Sequence, residues 1–240
     1  FKNCGSMAAS DDSLWMASGA ECIEFDAQTG DTRRIFNAPT APDGSRAEWG
    51  YVAVTDGILV GSAVRKGGTF REQTIRTEVL LWRDHMPVVC SDSIFGHDRG
   101  SGRRSWTYGA GPGAIINPTI AVGGDSIFFI ESLNPASRAV ADGRVRLSTL
   151  VGKGADVVAI DLRTGSVKWR KPARLEAIEH VIYLSHAKNR VLITGTRNAM
   201  VDGLRRVRYD LAAHDSTSGD LVWKNTQVPT PDHILQGPHG

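Results

Sequence analysis

The sequence predicts an all-β protein made of four-stranded antiparallel meanders strung in tandem. Three observations carry this reading. The pentad D-x-x-[TS]-G occurs four times, at Asp26–Gly30, Asp98–Gly102, Asp161–Gly165 and Asp215–Gly219. A tryptophan stands four residues beyond the glycine in three copies, as Trp106, Trp169 and Trp223, with Arg34 in the first. Short alternating or apolar runs flank each pentad, and no stretch has a convincing helical period. The single helical candidate, PARLEAIEHV at Pro172–Val181, is short and falls between units.

Each pentad reads as a tight turn between two strands. The aspartate carboxylate accepts hydrogen bonds from the turn backbone, and the glycine supplies the positive φ. Each Asp closes a run (CIEFD, SIFGHD, DVVAID, RYDLAAHD), and the glycine opens the next strand, as in SVKW and DLVW. The aspartates are therefore structural. The tryptophan falls on the outgoing strand, where its ring packs onto a neighbouring sheet. Trp106, Trp169 and Trp223 are expected to be buried between units, and Trp15 and Trp82, outside the motif, to matter less.

Two more strands precede each pentad. GSMAASDD leads into SLWMASG in the first unit, and GYVAVTDG (Gly50–Gly57) into ILVGSAV (Ile58–Val64) in the second. NPTIAVGG (Asn117–Gly124) leads into SIFFIES (Ser126–Ser132) in the third, and HVIYLSHAKN (His180–Asn189) into RVLITGT (Arg190–Thr196) in the fourth. Unequal intervals between copies indicate one unit carrying insertions of different length. A tandem four-stranded meander with one tryptophan per unit is the pattern of a β-propeller, whose blades bury both faces only by stacking. The blades span approximately 1–37, 49–108, 116–171 and 179–226, with 227–240 as the start of a further blade.

Composition sets the outer limits. The chain has 240 residues, 41% hydrophobic and 22% charged, with a formal net charge of +2, so no strong field draws nucleic acid or an anionic membrane. No apolar run approaches the roughly 20 residues of a membrane span. Phe1 stands where an initiator Met is expected and no signal peptide is visible, which reads as a mature or excised segment of a longer product. Cys4, Cys22 and Cys90 are too few for a disulfide scaffold; Cys4 and Cys22 either pair or, like Cys90, act as small buried hydrophobes.

Ala159 to Trp169 (AIDLRTGSVKW) and Ala213 to Trp223 spell A-x-D-x-x-[TS]-G-x-x-x-W. This resembles the tryptophan-docking repeat of PQQ-like, quinoprotein alcohol dehydrogenase-like β-propellers. The second copy departs at Gly96, and the first at Glu24 and Arg34. The resemblance covers nearly the whole chain and implies a propeller segment of a larger, multi-domain bacterial protein that is exported, hence extracytoplasmic and periplasmic. It implies about four blades, an arc of a larger ring. Its partners would be the remaining blades or domains of the parent protein, possibly on another chain, or a second copy.

Strand alternation places the A–B and C–D turns on one rim, and the B–C loops and blade-to-blade links on the other. The long insertions, Arg65–Cys90, Leu133–Ala155 and the shorter Arg197–Leu204, all gather on the second rim, with the links Asn37–Trp49 and Tyr108–Ile116. Loops of this kind carry binding. The residues entering each strand A form a candidate axial rim: Glu48, Trp49, Asn117, Glu179, His180 and His239. They either meet an axial ligand or bond one another. Glu131 reads as a solvated strand-end acid or a metal carboxylate. The basic stretches Arg65–Arg76 and Arg205–Arg208 read as solvated loops or an anion site.

The main functional expectation is a non-catalytic propeller: a structural, partner-binding or ligand-binding module. The alternative is part of a dehydrogenase that oxidises an alcohol or sugar with PQQ and Ca²⁺. Adjacent cysteines and a Glu/Asn/Asp calcium set, which the resemblance would supply, are missing from the sequence pattern. No phosphate-binding loop or G-x-S-x-G elbow is present. A carbohydrate-binding propeller is the third reading, with Trp49, Trp82 and Tyr108 as the aromatic residues. No catalytic, cofactor-binding or metal-binding residue is assigned.

Overall fold

The computed structural model describes residues 4–41, 44–69, 87–175 and 178–227. It is all-β, with antiparallel four-stranded units. The first unit is β1 (Cys4–Ala9), β2 (Ser13–Ser18), β3 (Glu21–Asp26) and β4 (Thr32–Asn37), each paired to the next. The second is β5 (Glu48–Thr55), β6 (Ile58–Val64), β7 (Val88–Asp98) and β8 (Arg104–Gly109). A two-residue strand, β9 (Ile115–Ile116), opens the third, followed by β10 (Ala121–Gly123), β11 (Ser126–Ser132), β12 (Arg144–Val145), helix α1 (Leu147–Val151), β13 (Ala155–Asp161) and β14 (Val167–Pro172). The fourth is β15 (Ile182–Ala187), β16 (Arg190–Val201), β17 (Leu204–Asp215) and β18 (Leu221–Gln227), again paired in sequence.

Three details depart from the sequence reading. Ile115 pairs with both Glu131 and Ser91, so β9 joins the second and third units into one ten-stranded hydrogen-bonded sheet. Arg197–Leu204 is not a loop: β16 and β17 pair all the way from Arg190↔Asp215 to Val201↔Leu204, around a turn in which Asp202 and Gly203 both have positive φ. Leu133–Ala155 is partly ordered, through a 3-10 turn at Pro135–Arg138, β12 and α1. The described residues of Pro172–Val181 contain no helix.

The four pentads share one geometry. In each, the residue-five amide donates to the Asp carbonyl: Gly30 to Asp26 at 2.9 Å, Gly102 to Asp98 at 2.8 Å, Gly165 to Asp161 at 2.9 Å and Gly219 to Asp215 at 2.8 Å. The Asp carboxylate also accepts from the turn, as Asp161 Oδ1 does from the amides of Arg163 and Thr164. All four glycines lie at φ between 70° and 78°, which a Cβ would strain.

Three apolar cores lie between the four units. Trp15, Cys22 and Phe36 of the first meet Trp49, Leu59 and Phe95 of the second. Ile58, Ile94 and Trp106 meet Ile127, Phe129 and Ile160 of the third. Phe128, Val157 and Trp169 meet Ile182, Leu184, Val191 and Ile193 of the fourth. Each sheet alternates its side chains between two faces, so a unit between two others buries both.

One contact recurs at these junctions. Trp106 lies over Gly165, where a Cβ would approach its ring to 2.6 Å, and its Nε1 donates to the Leu162 carbonyl at 3.0 Å. Trp169 lies over Gly219 in the same way and donates to the Ser216 carbonyl at 3.0 Å. At the first junction Arg34 takes this place: its side chain covers Gly102, and Nη1 donates to the carbonyls of Arg99 at 2.8 Å and Gly100 at 2.9 Å. Arg34 is thus the counterpart of the tryptophans rather than a loss of the pattern. Beneath each large side chain, in register on the neighbouring strand, sits Glu24, Gly96, Ala159 or Ala213.

Two tryptophans differ from expectation. Trp106 and Trp169 are 8% and 9% exposed, but Trp223 is 44% exposed, because no described unit covers the outer face of the fourth. Trp15, outside the motif, is fully buried: it sits in the first core with Arg99 stacked over its ring at 4.8 Å. Trp82 lies outside the described residues.

Candidate functional site

The rim carrying the insertions holds a cavity of about 720 Å³ between the link that follows the first unit, the second unit and the third unit's insertion. Small-molecule pockets fall in the range of roughly 300–1,000 Å³. The link between the two units supplies Pro39 and Ala47, the end of β6 supplies Val64 and Arg65, and β7 supplies Asp92; Arg138 closes it from the third unit's insertion.

Arg65 is the residue that builds this wall. Its Nε lies 3.0 Å from Asp92 Oδ2, and Nη1 donates to the carbonyls of Arg138 and Val140 at 2.5 and 2.7 Å. The guanidinium fork thereby ties the Leu133–Ala155 insertion to the second unit. With Asp92 matching Arg65, Lys66 and Arg138 leave the lining with excess positive charge. The remainder of the Arg65–Arg76 stretch, from residue 70, lies outside the described residues. Arg205, Arg206 and Arg208 sit on β17, opposite Met200, Ala199 and Arg197 of the extended hairpin.

The candidate axial residues are placed as follows. Glu48 accepts from the Gly67 amide at 3.0 Å and the Thr69 hydroxyl at 2.8 Å, anchoring the start of the second unit's insertion. Trp49 is buried in the first core, edge-on to Phe95 at 4.8 Å and stacked on His97 at 6.0 Å. Asn117 Oδ1 accepts from the hydroxyls of Ser62 at 2.6 Å and Ser91 at 2.7 Å, and its Nδ2 donates to the Gly50 carbonyl at 2.6 Å. That amide stitches three strands of the second unit to the third. Glu179 Oε2 accepts from the amide and side chain of Asn198, and lies 3.8 Å from His180 Nε2. His239 lies outside the described residues.

Glu131 is neither a solvated acid nor an open metal ligand. Its side chain is fully buried and accepts from the Tyr108 hydroxyl at 2.5 Å and the Gly111 amide at 2.8 Å. Arg170 lies 3.4 Å away, donates to the Tyr108 hydroxyl at 2.7 Å and pairs with Asp156 at 3.1 Å. Burial, then the Glu131 carboxylate, pushes the Tyr108 hydroxyl well above its ordinary pKa. The signal in the sequence was an acid inside the apolar run SIFFIES, which requires buried partners.

Calcium takes about 6–8 oxygen ligands. Among the described residues no group of three or more His, Cys, Asp or Glu is gathered to hold a metal, and Glu131 already has its counter-charge in Arg170. The described residues do not fit a quinone–calcium site. Of the three aromatic residues named for a carbohydrate site, Trp49 is buried, the Tyr108 hydroxyl is engaged by Glu131, and Trp82 lies outside the described residues. Cys22 and Cys90 are both free, buried thiols, and the side chain of Cys4 lies outside what is described. Among the described residues, no helix is long and apolar enough to cross a membrane.

No protein-family model matches the chain, and no curated protein sequence matches it. Solved structures do resemble it. Apo AztD from Citrobacter koseri is 11% identical with a TM-score of 0.51, over 92% of this chain and 46% of that one. A second crystal structure of Citrobacter koseri AztD gives 12% identity and a TM-score of 0.50 over the same shares. A europium-containing methanol dehydrogenase is 8% identical with a TM-score of 0.46, over 93% of this chain and 52% of that one. The likeness to AztD is one of fold, and this chain spans less than half the length of the AztD chains.

Proposed function

We propose that the chain is a non-catalytic propeller module, four tryptophan-docking blades forming an arc of a larger ring, that serves as a structural and binding part of a larger exported protein. The observation that carries this reading is the recurrence of one contact at three successive junctions. Arg34, Trp106 and Trp169 each cover the glycine of the next unit's pentad and donate to the carbonyl that follows its aspartate. Such a contact serves stacking, and the polar groups of the pentads are consumed by their own turns. The rim cavity beside Arg65 is the binding site this reading uses, and its excess positive charge favours an anionic ligand. An extracytoplasmic site follows from the repeat resemblance.

The test is to add PQQ with Ca²⁺ to the purified chain and follow both bound-quinone absorbance and dye reduction with alcohols and sugars. No stoichiometric quinone and no dye reduction are expected. Stoichiometric quinone with substrate-dependent dye reduction would overturn the reading in favour of a dehydrogenase.

A further inference from the structure

We infer that a ligand-binding site lies between the third and fourth units, separate from the cavity beside Arg65, and that its ligand is a small carboxylate carrying a compact apolar body.

The units are copies of one another, and their junctions correspond position by position. Asp156 and Asp210 each stand five residues before their pentad aspartate. Opposite Asp156 in the strand register is Glu131; opposite Asp210 is Gly195. Arg170 and Lys224 each follow the motif tryptophan and pair with Val158 and Ala212. The junction of the second and third units therefore holds an acid, Glu131, and its cation, Arg170. The junction of the third and fourth keeps the cation, as Lys224, and lacks the acid. The first junction lacks both, with Ala63 and Thr107 at these positions.

The other donors to Glu131 have counterparts too. The Gly111 amide donates to it at 2.8 Å. Ala110, just before, donates its own amide to the Asp92 carbonyl at 2.9 Å, and Ala173, just before Arg174, donates to that of Ala155 at 2.8 Å. The Arg174 amide thus takes the place of the Gly111 amide. Tyr108 is replaced by Lys171, which pairs instead with Asp220 at 2.8 Å.

Where the acid is missing there is a cavity of about 510 Å³. Ile178 lies over Gly195 and, with Leu175 and Ile193, gives the cavity an apolar floor. Asp210, which also lines it, is held by Arg197 at 2.6 Å and by the Thr226 hydroxyl at 2.8 Å. Arg197 thereby does for Asp210 what Arg170 does for Asp156, and Lys224 is left without a counter-charge. Arg174 lines the same cavity, and among the described residues neither it nor Lys224 has a hydrogen-bonding or ion-pair partner. An anion brought by a ligand restores beside Lys224 the pair that Glu131 and Arg170 make within the chain. A carboxylate is the group the corresponding place already accepts, and the floor calls for an apolar body attached to it.

Titration of the full chain with 4-methylpentanoate, followed through backbone amide NMR shifts, tests this. Saturable shifts centred on Arg174, Gly195 and Lys224 are expected, with a Kd of about 1 mM or tighter for a ligand of this size. Lys224→Met should weaken binding by about tenfold or more, and Lys224→Arg should retain it. The uncharged 4-methylpentanamide, and acetate without the apolar body, should each bind about tenfold or more weakly than 4-methylpentanoate. Absence of saturable shifts at these amides well above that concentration overturns the inference, as does indifference to Lys224→Met. Equal binding of the amide removes the carboxylate, and equal binding of acetate removes the apolar body; either overturns the inference as well. The amide and acetate comparisons use the parent chain alone, so they decide the matter whether or not Lys224→Met folds.

Discussion

Trp106 Nε1 donates to the carbonyl of Leu162 at 3.0 Å, across the boundary between the second and third units. Removing the indole takes away both this bond and the ring that covers Gly165. Trp106→Ala and Trp169→Ala should each cost about 3–5 kcal/mol in urea unfolding. Trp223→Ala should cost clearly less, since its ring is half in water. Equal losses at all three positions would contradict the exposed position of Trp223.

The glycines give a cleaner comparison. Gly30 and Gly165 share a left-handed backbone, at φ 78° and 70°, but a Cβ at Gly165 meets the Trp106 ring at 2.6 Å and one at Gly30 meets nothing. Gly30→Ala should cost about 1–2 kcal/mol, the left-handed strain alone. Gly165→Ala should cost about 1–3 kcal/mol more, from overpacking. Unfolding of the two variants side by side measures the difference.

Arg34 replaces a tryptophan, and Glu24, opposite it, replaces the small residue that lies under the ring elsewhere. Arg34→Ala should destabilise by about 1.5–3 kcal/mol through loss of charge-assisted bonds to two carbonyls. Arg34→Trp alone should also destabilise, because Glu24 occupies the ring's floor. Adding Glu24→Ala should recover part of that loss, and a double-mutant cycle reads the coupling. Strict additivity would sink this account.

The Thr29 amide, then Arg33 and the Gln28 amide, hold the Asp26 carboxyl at about 2, below its ordinary 3.8. Turn amides act in the same direction at Asp215, led by that of Ser218. A depressed folded value means the unfolded chain takes up protons first, so this stabilisation is complete above the ordinary carboxylate range and is lost as pH falls through the folded value. Thermal stability should therefore drop between about pH 4 and pH 2, and less steeply in Asp26→Asn. A parallel fall in that variant would remove Asp26 from the acid response.

Burial, reinforced by Glu24 at Cys22 and by Asp92 at Cys90, raises both thiols to about 12. Neither should react with a thiol reagent at pH 8 in the native chain, and both should react in denaturant. Mass-mapped labelling checks the two sites separately; rapid native modification of Cys22 would contradict its place in the first core.

The turns were legible because their chemistry is local. An Asp that accepts from its own turn and a Gly at positive φ are chosen by neighbours within five residues, and the strands are bounded by such turns. The Glu131 partnership was not legible. It joins β11 to Tyr108 and Arg170, 23 and 39 residues away, and residues so far apart in sequence meet only when the sheet is built. Arg34 was visible as a residue but not as an equivalent, although Glu24 changed alongside it.

What the sequence by itself determined is the all-β character, the strand order within each unit, and the four turns, because period-two alternation and turn residues act over a few bonds. What only the tertiary structure decided is which side chains are covered. Trp169 and Trp223 stand at the same position of the same motif, yet one is buried and the other exposed. Burial is a property of the neighbour that packs on a face, and no residue spells its neighbour within its own strand.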